Sequence, residues 1–468
     1  MKRIRTGRLL VFFGLLMITA GMIVGGSLAA AGSPSWLTEK DYIEATASSA
    51  AAVSSEEMKD LSESLSSPVA WWGNEAGIVS ADRRQTRADI YAVGGPFTDF
   101  HPVRMLKGSF ISPLGDNGNS IVLDEGLAWE LFGTTDAVGM EAEFQDRTYT
   151  VTGICAGDAS LLGMLSGNGL NRAYIGLNAQ EPIRITGMAA ALPVSLPGKS
   201  LQSVKDALGS LGKNAGDFLF RDFTENAKLD AESAGLPALV LAAIFTAIII
   251  ACTKAALNSM ARELRLFLKE TYFSDSWRTV LRHIGFMALA AAVAAGIVFL
   301  IWLLTDFPFF LPGRFIPGSW IDFDFYKNLL QTQAQERITA FGYIPLHWNI
   351  ARDAAMHIAG TMNMAALAGM AVFGAGLALL RDAREMQTGS IKGLKSGAMD
   401  ITMVWIFLIA SIGAGFLICS AMGIGTELPP GRTAALCAVL TGWAGWILYR
   451  ERINCPVLLK FPEVKENQ

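Results

Sequence analysis

The chain has 468 residues, 51% of them hydrophobic and only 17% charged, below the roughly 25% charged of soluble globular domains. Its mean hydropathy of +0.36 suits a chain that mixes lipid-embedded and water-exposed parts. The net charge of -4 argues against nucleic acid as a partner, which calls for a basic surface.

Residues 1–8 carry Lys2, Arg3, Arg5 and Arg8, and residues 9–31 carry no charge. About 20 apolar residues span the hydrocarbon of a bilayer, so 9–31 reads as a first transmembrane helix. The competing reading is a secretory leader ending at Ala29-Ala30-Ala31.

Residues 32–234 are of domain size and polar enough for water. A Ser- and Ala-rich opening contains a helical pattern at 56–65, whose Glu56 and Glu57 are expected to be solvated. Residues 88–93 lean to strand and are ended by Gly94-Gly95-Pro96. The run 120–123 reads as a buried strand. Asp124 can cap a helix over 125–132, and Gly133 can stop it. A further strand is predicted over 149–154 and a helix near 201–211. Of the five cysteines, Cys155, Cys252, Cys419, Cys437 and Cys455, only the first lies here, so the domain has no internal disulfide.

Five more apolar runs follow, at 235–257, 284–304, 354–380, 401–423 and 433–449. The intervening segments 258–283 and 381–400 and the tail 450–468 are rich in Lys and Arg. The 305–353 segment balances its cations with Asp and Glu, and the last hairpin loop has only Arg432. By the positive-inside rule both termini are cytoplasmic and 32–234 lies outside. The expected fold class is an α-helical transmembrane bundle of about six helices with an inserted extracytoplasmic α+β domain. The aromatic residues of 305–353 (Phe307, Phe309, Phe310, Phe315, Trp320, Phe323, Phe325 and Tyr326) are expected at the membrane interface.

Within the outer domain, Leu106-Lys107-Gly108-Ser109-Phe110 is followed by Ile121-Val122-Leu123-Asp124-Glu125-Gly126-Leu127-Ala128. Next come Leu131-Phe132-Gly133, Ala137-Val138-Gly139-Met140 and Tyr149-Thr150-Val151-Thr152-Gly153-Ile154. Order and spacing over about fifty residues resemble the periplasmic core domain of MacB/FtsX-like ABC transporter permeases. Ser109 stands where that pattern has Arg, and Met140 where it has Lys. The motif residues Gly108, Leu127, Ala128, Leu131, Phe132, Gly133, Gly139, Val151 and Gly153 have structural roles by chemistry: glycines for unusual backbone, the others for an apolar helix face and a strand.

The resemblance implies a permease that works with a separate cytoplasmic ABC ATPase, pairs with a second copy or a related permease in membrane lipid, and binds no cofactor itself, ATP being held by the partner. It also implies that 258–283 is the coupling segment, with Arg262, Glu263, Leu264 and Leu266 as its contact. The family's Gly-Ala turn is absent there, Thr271-Tyr272 standing near its place, and the family has four transmembrane helices where six are expected here. An ordinary basic juxtamembrane loop, in a scaffold or sensor whose outer domain binds an envelope protein, is the alternative.

No enzyme signature is present. Gly198-Lys199-Ser200 matches the tail of a P-loop, but Pro193 occupies its first glycine position. His101, His283, His347 and His357 have no metal-ligand spacing with the cysteines and are expected at the surface or interface.

Overall fold

A computed structural model describes residues 2–32, 40–48, 51, 53–82, 84–112, 119–158, 160–177, 183–193, 199–270, 273–310, 323–340, 343, 346–385, 393–426 and 430–453. It divides into a sheet unit, Ala31–Asp230 with Phe310–Ala355, and a helical unit, Met1–Ala30, Ala231–Phe309 and Met356–Gln468.

The sheet unit is built on ten strands: β1 (Lys40–Ala47), β2 (Val69–Ala81), β3 (Arg84–Gly94), β4 (Met105–Gly108), β5 (Ser120–Asp124), β6 (Glu141–Phe144), β7 (Arg147–Cys155), β8 (Asn171–Gly176), β9 (Gly187–Pro193) and β10 (Phe218–Asp222). Their order is β10-β1-β9-β2-β3-β8-β5-β7-β4, with β6 pairing both β2 and β7. The sheet is mixed: β3 and β8 are parallel, as are β5 and β7. Such a sheet needs cover on both faces, and the side-chain alternation supplies it. Ile121 and Leu123 of β5 join one buried cluster, whereas Val122 between them joins another on the opposite face.

The first cluster is roofed by α4 (Glu125–Phe132), which buries Leu127, Ala128 and Leu131, with Phe132 packed at its edge. The same cluster holds Phe144, Tyr149 and Val151, fully or almost fully buried. Each large apolar side chain buried this way contributes roughly 2 kcal/mol. A third cluster is closed by α2 (Ser55–Leu65) and α6 (Lys199–Ser210), through Met58, Leu61, Val204 and Leu208. Glu57 is not simply solvated: it closes a capping box with Ser54 and pairs with Lys213 at 2.8 Å. Lys199 and Ser200, the P-loop look-alike, open α6, and the Ser200 hydroxyl donates to Asp41 at 2.6 Å.

The helical unit contains α1 (Lys2–Gly32) and most of α7 (Phe223–Glu270), α8 (Phe273–Thr305), α10 (His347–Glu385), α11 (Gly393–Ala421) and α12 (Pro430–Ile453). Among the described residues, five helices are long and apolar enough to cross a membrane: α1, α7, α8, α10 and α11. The expected sixth segment, 433–449, is helical within α12 but is not among those five. The basic segment 258–283 is mostly helix, since α7 runs to Glu270 and α8 starts at Phe273.

Small residues bring α1 and α10 together. A Cβ on Gly14 would lie 2.5 Å from the Phe373 backbone nitrogen, and one on Gly21 would lie 2.6 Å from the Met362 carbonyl. Without a hydrophobic drive between helices in lipid, such close backbone approach is what makes dispersion effective.

The 305–353 segment is more than a loop. Residues from Phe310 to Ala355 belong to the sheet unit, where α9 (Phe323–Ala340) lies in this stretch. Its tail, together with the first turns of α10, contributes Leu346 and Trp348 to the sheet's cluster of aromatic side chains. Phe315 and Trp320 lie outside the described residues.

Candidate functional site: the aromatic chamber and the end of the long helix

The motif glycines have the backbone their chemistry suggested. Gly108, Gly133 and Gly139 have φ of +69°, +71° and +88°. Gly133 is the left-handed C-cap of α4, whose N-cap Asp124 accepts from Leu127 N at 2.6 Å. The second Asp124 oxygen accepts from Arg172 N at 2.6 Å, so one carboxylate ties α4 to β8. Gly108 and Gly153 are partners in the β4–β7 pairing, and a Cβ on either would strike the opposite backbone. Gly153 also follows a register shift in the β5–β7 ladder. Val151, on the same strand, is fully buried in the α4-side cluster. All nine motif residues lie within the sheet unit.

Arg262, Glu263, Leu264 and Leu266 sit on the last two turns of α7. Arg262 and Leu266 are exposed, Leu266 by 59%, while Glu263 and Leu264 are half-buried. Leu268 is exposed as well, but two positions further along the helix it points to another side than Leu266.

The sheet unit holds a second feature that sequence reasoning missed. Two histidines expected at the surface or interface are half-buried among aromatic rings. Burial pushes His101 down to about 3, and burial, with Arg172 and His101 nearby, does the same to His347. Both imidazoles are neutral at physiological pH. The Trp348 ring lies 4.1 Å from His101 and 4.7 Å from His347, centroid to centroid, and 5.5 Å from Trp72. His283 instead contacts the Thr279 carbonyl, one turn earlier in its own helix, and His357 is exposed.

A polar relay runs beneath these rings. Asp89 accepts from Asn74 Nδ2 and from the Tyr91 hydroxyl, both at 2.9 Å. The Tyr91 oxygen also meets His347 Nδ1 at 2.8 Å. Because the Tyr91 proton goes to Asp89, Nδ1 of His347 must be the donor, which leaves its Nε2 as an acceptor.

A cavity of about 410 Å³ opens beside this cluster, walled by Tyr42, Phe97, Phe100, His101, Tyr174, Phe223, His347, Trp348 and Arg352. Nothing in the local sequence brings these residues together, since Tyr42 and Trp348 are about 300 positions apart. Arg352 is already engaged: its guanidinium donates to Asp230 at 2.9 Å and lies 4.4 Å over the Phe223 ring.

Beside the cavity, the start of α10 is fastened to the sheet. Asn349 Nδ2 donates to Glu44 Oε1, and Arg221 makes a two-bond pair with Asp353 at 3.2 Å. Burial raises the Glu44 carboxyl to about 7 against the opposing pull of Asn349, Arg221 and Arg352. Among the described residues no group of three His, Cys, Asp or Glu is placed to hold a metal ion.

Residues 9–211 match the family described as the MacB-like periplasmic core domain. Among solved structures, the chain is similar to the periplasmic region of MacB from Actinobacillus actinomycetemcomitans, at 16% identity and a TM-score of 0.32, covering 39% of this chain and 88% of that one. It is likewise similar to the extracellular domain of the noncanonic ABC-type transporter YknZ from Gram-positive bacteria, at 12% identity and a TM-score of 0.32, covering 39% and 100%. A domain of a putative permease from Porphyromonas gingivalis follows at 13% identity and a TM-score of 0.26, covering 40% and 89%. No curated protein matches. With a MacB-like periplasmic core domain matched over residues 9–211 and five helices among the described residues long and apolar enough to cross a membrane, the chain is a membrane protein with an extracytoplasmic domain.

Proposed function

We propose that this chain is the permease subunit of an ABC transporter and transmits the ATP-driven motion of a separate cytoplasmic ATPase to its extracytoplasmic domain. The observation that carries the reading is the MacB-like match over residues 9–211 in a chain whose further helices are membrane-spanning by length and composition. In this reading both termini and the α7–α8 junction are cytoplasmic, as the Lys and Arg bias requires. The sixth crossing is made by α12. Arg262, Glu263, Leu264 and Leu266 rest on the ATPase, and α7 carries its movement outward. ATP is bound and hydrolysed by the partner; this chain performs no catalysis and holds no cofactor. Two permease copies, or this chain and a related one, pair in the membrane. The work done outside is export or extraction of a peptide, antibiotic or lipoprotein, or control of a cell-wall enzyme.

One observation favours a scaffold or sensor instead: the coupling segment lacks the family's Gly-Ala turn, and α7 stays helical through Arg262–Leu266. A pull-down of the tagged chain in mild detergent separates the two. A stoichiometric P-loop ATPase, lost in Glu263→Arg with Leu266→Arg, is expected. Recovery without any ATPase across several detergents would favour the scaffold.

A further inference from the structure

The transmission reading leaves the chamber in the sheet unit without a task. Its volume of about 410 Å³ lies in the range of small-molecule sites, roughly 300–1,000 Å³. Its walls include the aromatic residues Tyr42, Phe97, Tyr174 and Trp348. Such walls favour a flat apolar ligand held by stacking or edge contacts.

Besides the Trp348 indole N–H, which is buried without a partner, two polar groups on the wall remain unspent. Tyr174 is 94% buried, since 6% of its surface is accessible, and its hydroxyl makes no hydrogen bond among the described residues. His347 donates through Nδ1 to Tyr91, which leaves Nε2 free to accept. One donor and one acceptor therefore face a space that protein does not fill. Buried polar groups are rarely left unpaired, so a partner is called for.

The cation on the wall is already matched, and the carboxylate of exposed Asp158 stands only at the rim. Arg352 is paired with Asp230 and stacked on Phe223. At the rim, Asp158 accepts from the Ser160 hydroxyl at 2.6 Å. Both imidazoles are neutral and Arg352 is engaged, so nothing beside Trp348, away from the rim, compensates the desolvation of an ionic ligand.

We infer that the chamber binds a small uncharged aromatic molecule bearing an amide-like donor–acceptor group, its ring against Trp348 and its polar group held by the Tyr174 hydroxyl and His347 Nε2. The site stands apart from ATPase coupling and needs no partner protein.

The test uses the full chain in lipid nanodiscs and 4-fluorobenzamide as the probe, followed by ¹⁹F line broadening, with empty nanodiscs subtracted for partition into lipid. Saturable broadening is expected. Ala351→Trp, which puts bulk into the cavity from α10, should weaken it at least ten-fold. Tyr174→Phe, which removes only the hydroxyl, should weaken it roughly three- to ten-fold. The anionic 4-fluorobenzoate and the cationic 4-fluorobenzylamine should each bind at least ten-fold more weakly than the amide. Absence of saturable broadening overturns the proposal. So does binding that both variants leave unchanged, or a charged analogue that binds as well as the amide.

Discussion

Replacing Glu44 by Gln should stabilise the sheet unit at alkaline pH and flatten its response to pH. Glu44 is 1% exposed on β1, faced by Arg221 of β10 and by Asn349, Arg352 and Asp353 of α10. Its Oε1 accepts from Asn349 Nδ2, while its Oε2 and the Asn349 Oδ1 are both buried with no partner. Two facing acceptors lack one proton between them. A protonated Glu44 can donate Oε2–H to Oδ1 and close a two-bond acid–amide ring; Gln does so permanently through Nε2–H.

The sign follows from the raised carboxyl, near 7 when folded and near 4.5 when unfolded. The folded state binds the proton more tightly, so this stability is fully present below about pH 4.5 and is lost as pH rises through about 7. A shift of about 2.5 units corresponds to about 3 kcal/mol. For a domain of this size that is roughly 6–12 °C in Tm. Thermal unfolding followed by tryptophan fluorescence at pH 5 and pH 8, wild type against Glu44→Gln, reads the difference directly and cancels the other titrating groups. The wild type should fall further than the variant across that interval by about this amount. Parallel profiles, or a variant less stable than wild type at pH 8, would refute the reasoning.

Further expectations concern the domain's frame and the helix packing. Gly108→Ala should cost about 3 kcal/mol or more in the same unfolding assay, because φ is +69° and the new Cβ would lie 2.1 Å from the Thr152 carbonyl. Gly133→Ala, equally left-handed but facing only the flexible Arg84 guanidinium at 3.2 Å, should cost about 1 kcal/mol. Asp124→Ala removes the acceptor of two backbone N–H groups and should cost about 2–4 kcal/mol; equal stability would mean that water replaces the carboxylate. Gly14→Ala should destabilise the helical unit by about 1–3 kcal/mol, since Phe373 backbone stands 2.5 Å from the added carbon; unchanged detergent stability would show that α1 and α10 separate freely.

Much of the frame was legible in the chain itself. Asp124, the apolar spacing of Leu127 and Leu131, and Gly133 define α4 from its N-cap to its C-cap, because capping and termination act over four or five residues. Hydropathy likewise announced the apolar helices α1, α7, α8, α10 and α11, since a bilayer selects for length and composition alone. Local pattern did not disclose β1, β9 and β10, which hold one edge of the sheet through pairings between residues up to about 180 positions apart. It also could not show that residues after Phe310 return to the sheet unit, and so it left His101 and His347 at the surface or interface. Burial of a histidine depends on what packs over it, and here the cover is Trp348, supplied from a distant stretch of chain. Sequence determined the class of protein and the local turns of its domain, because those depend on neighbours in the chain. Tertiary structure alone decided the neutral imidazoles, the half-paired Glu44 and the aromatic chamber, because each depends on desolvation by residues that meet only after folding.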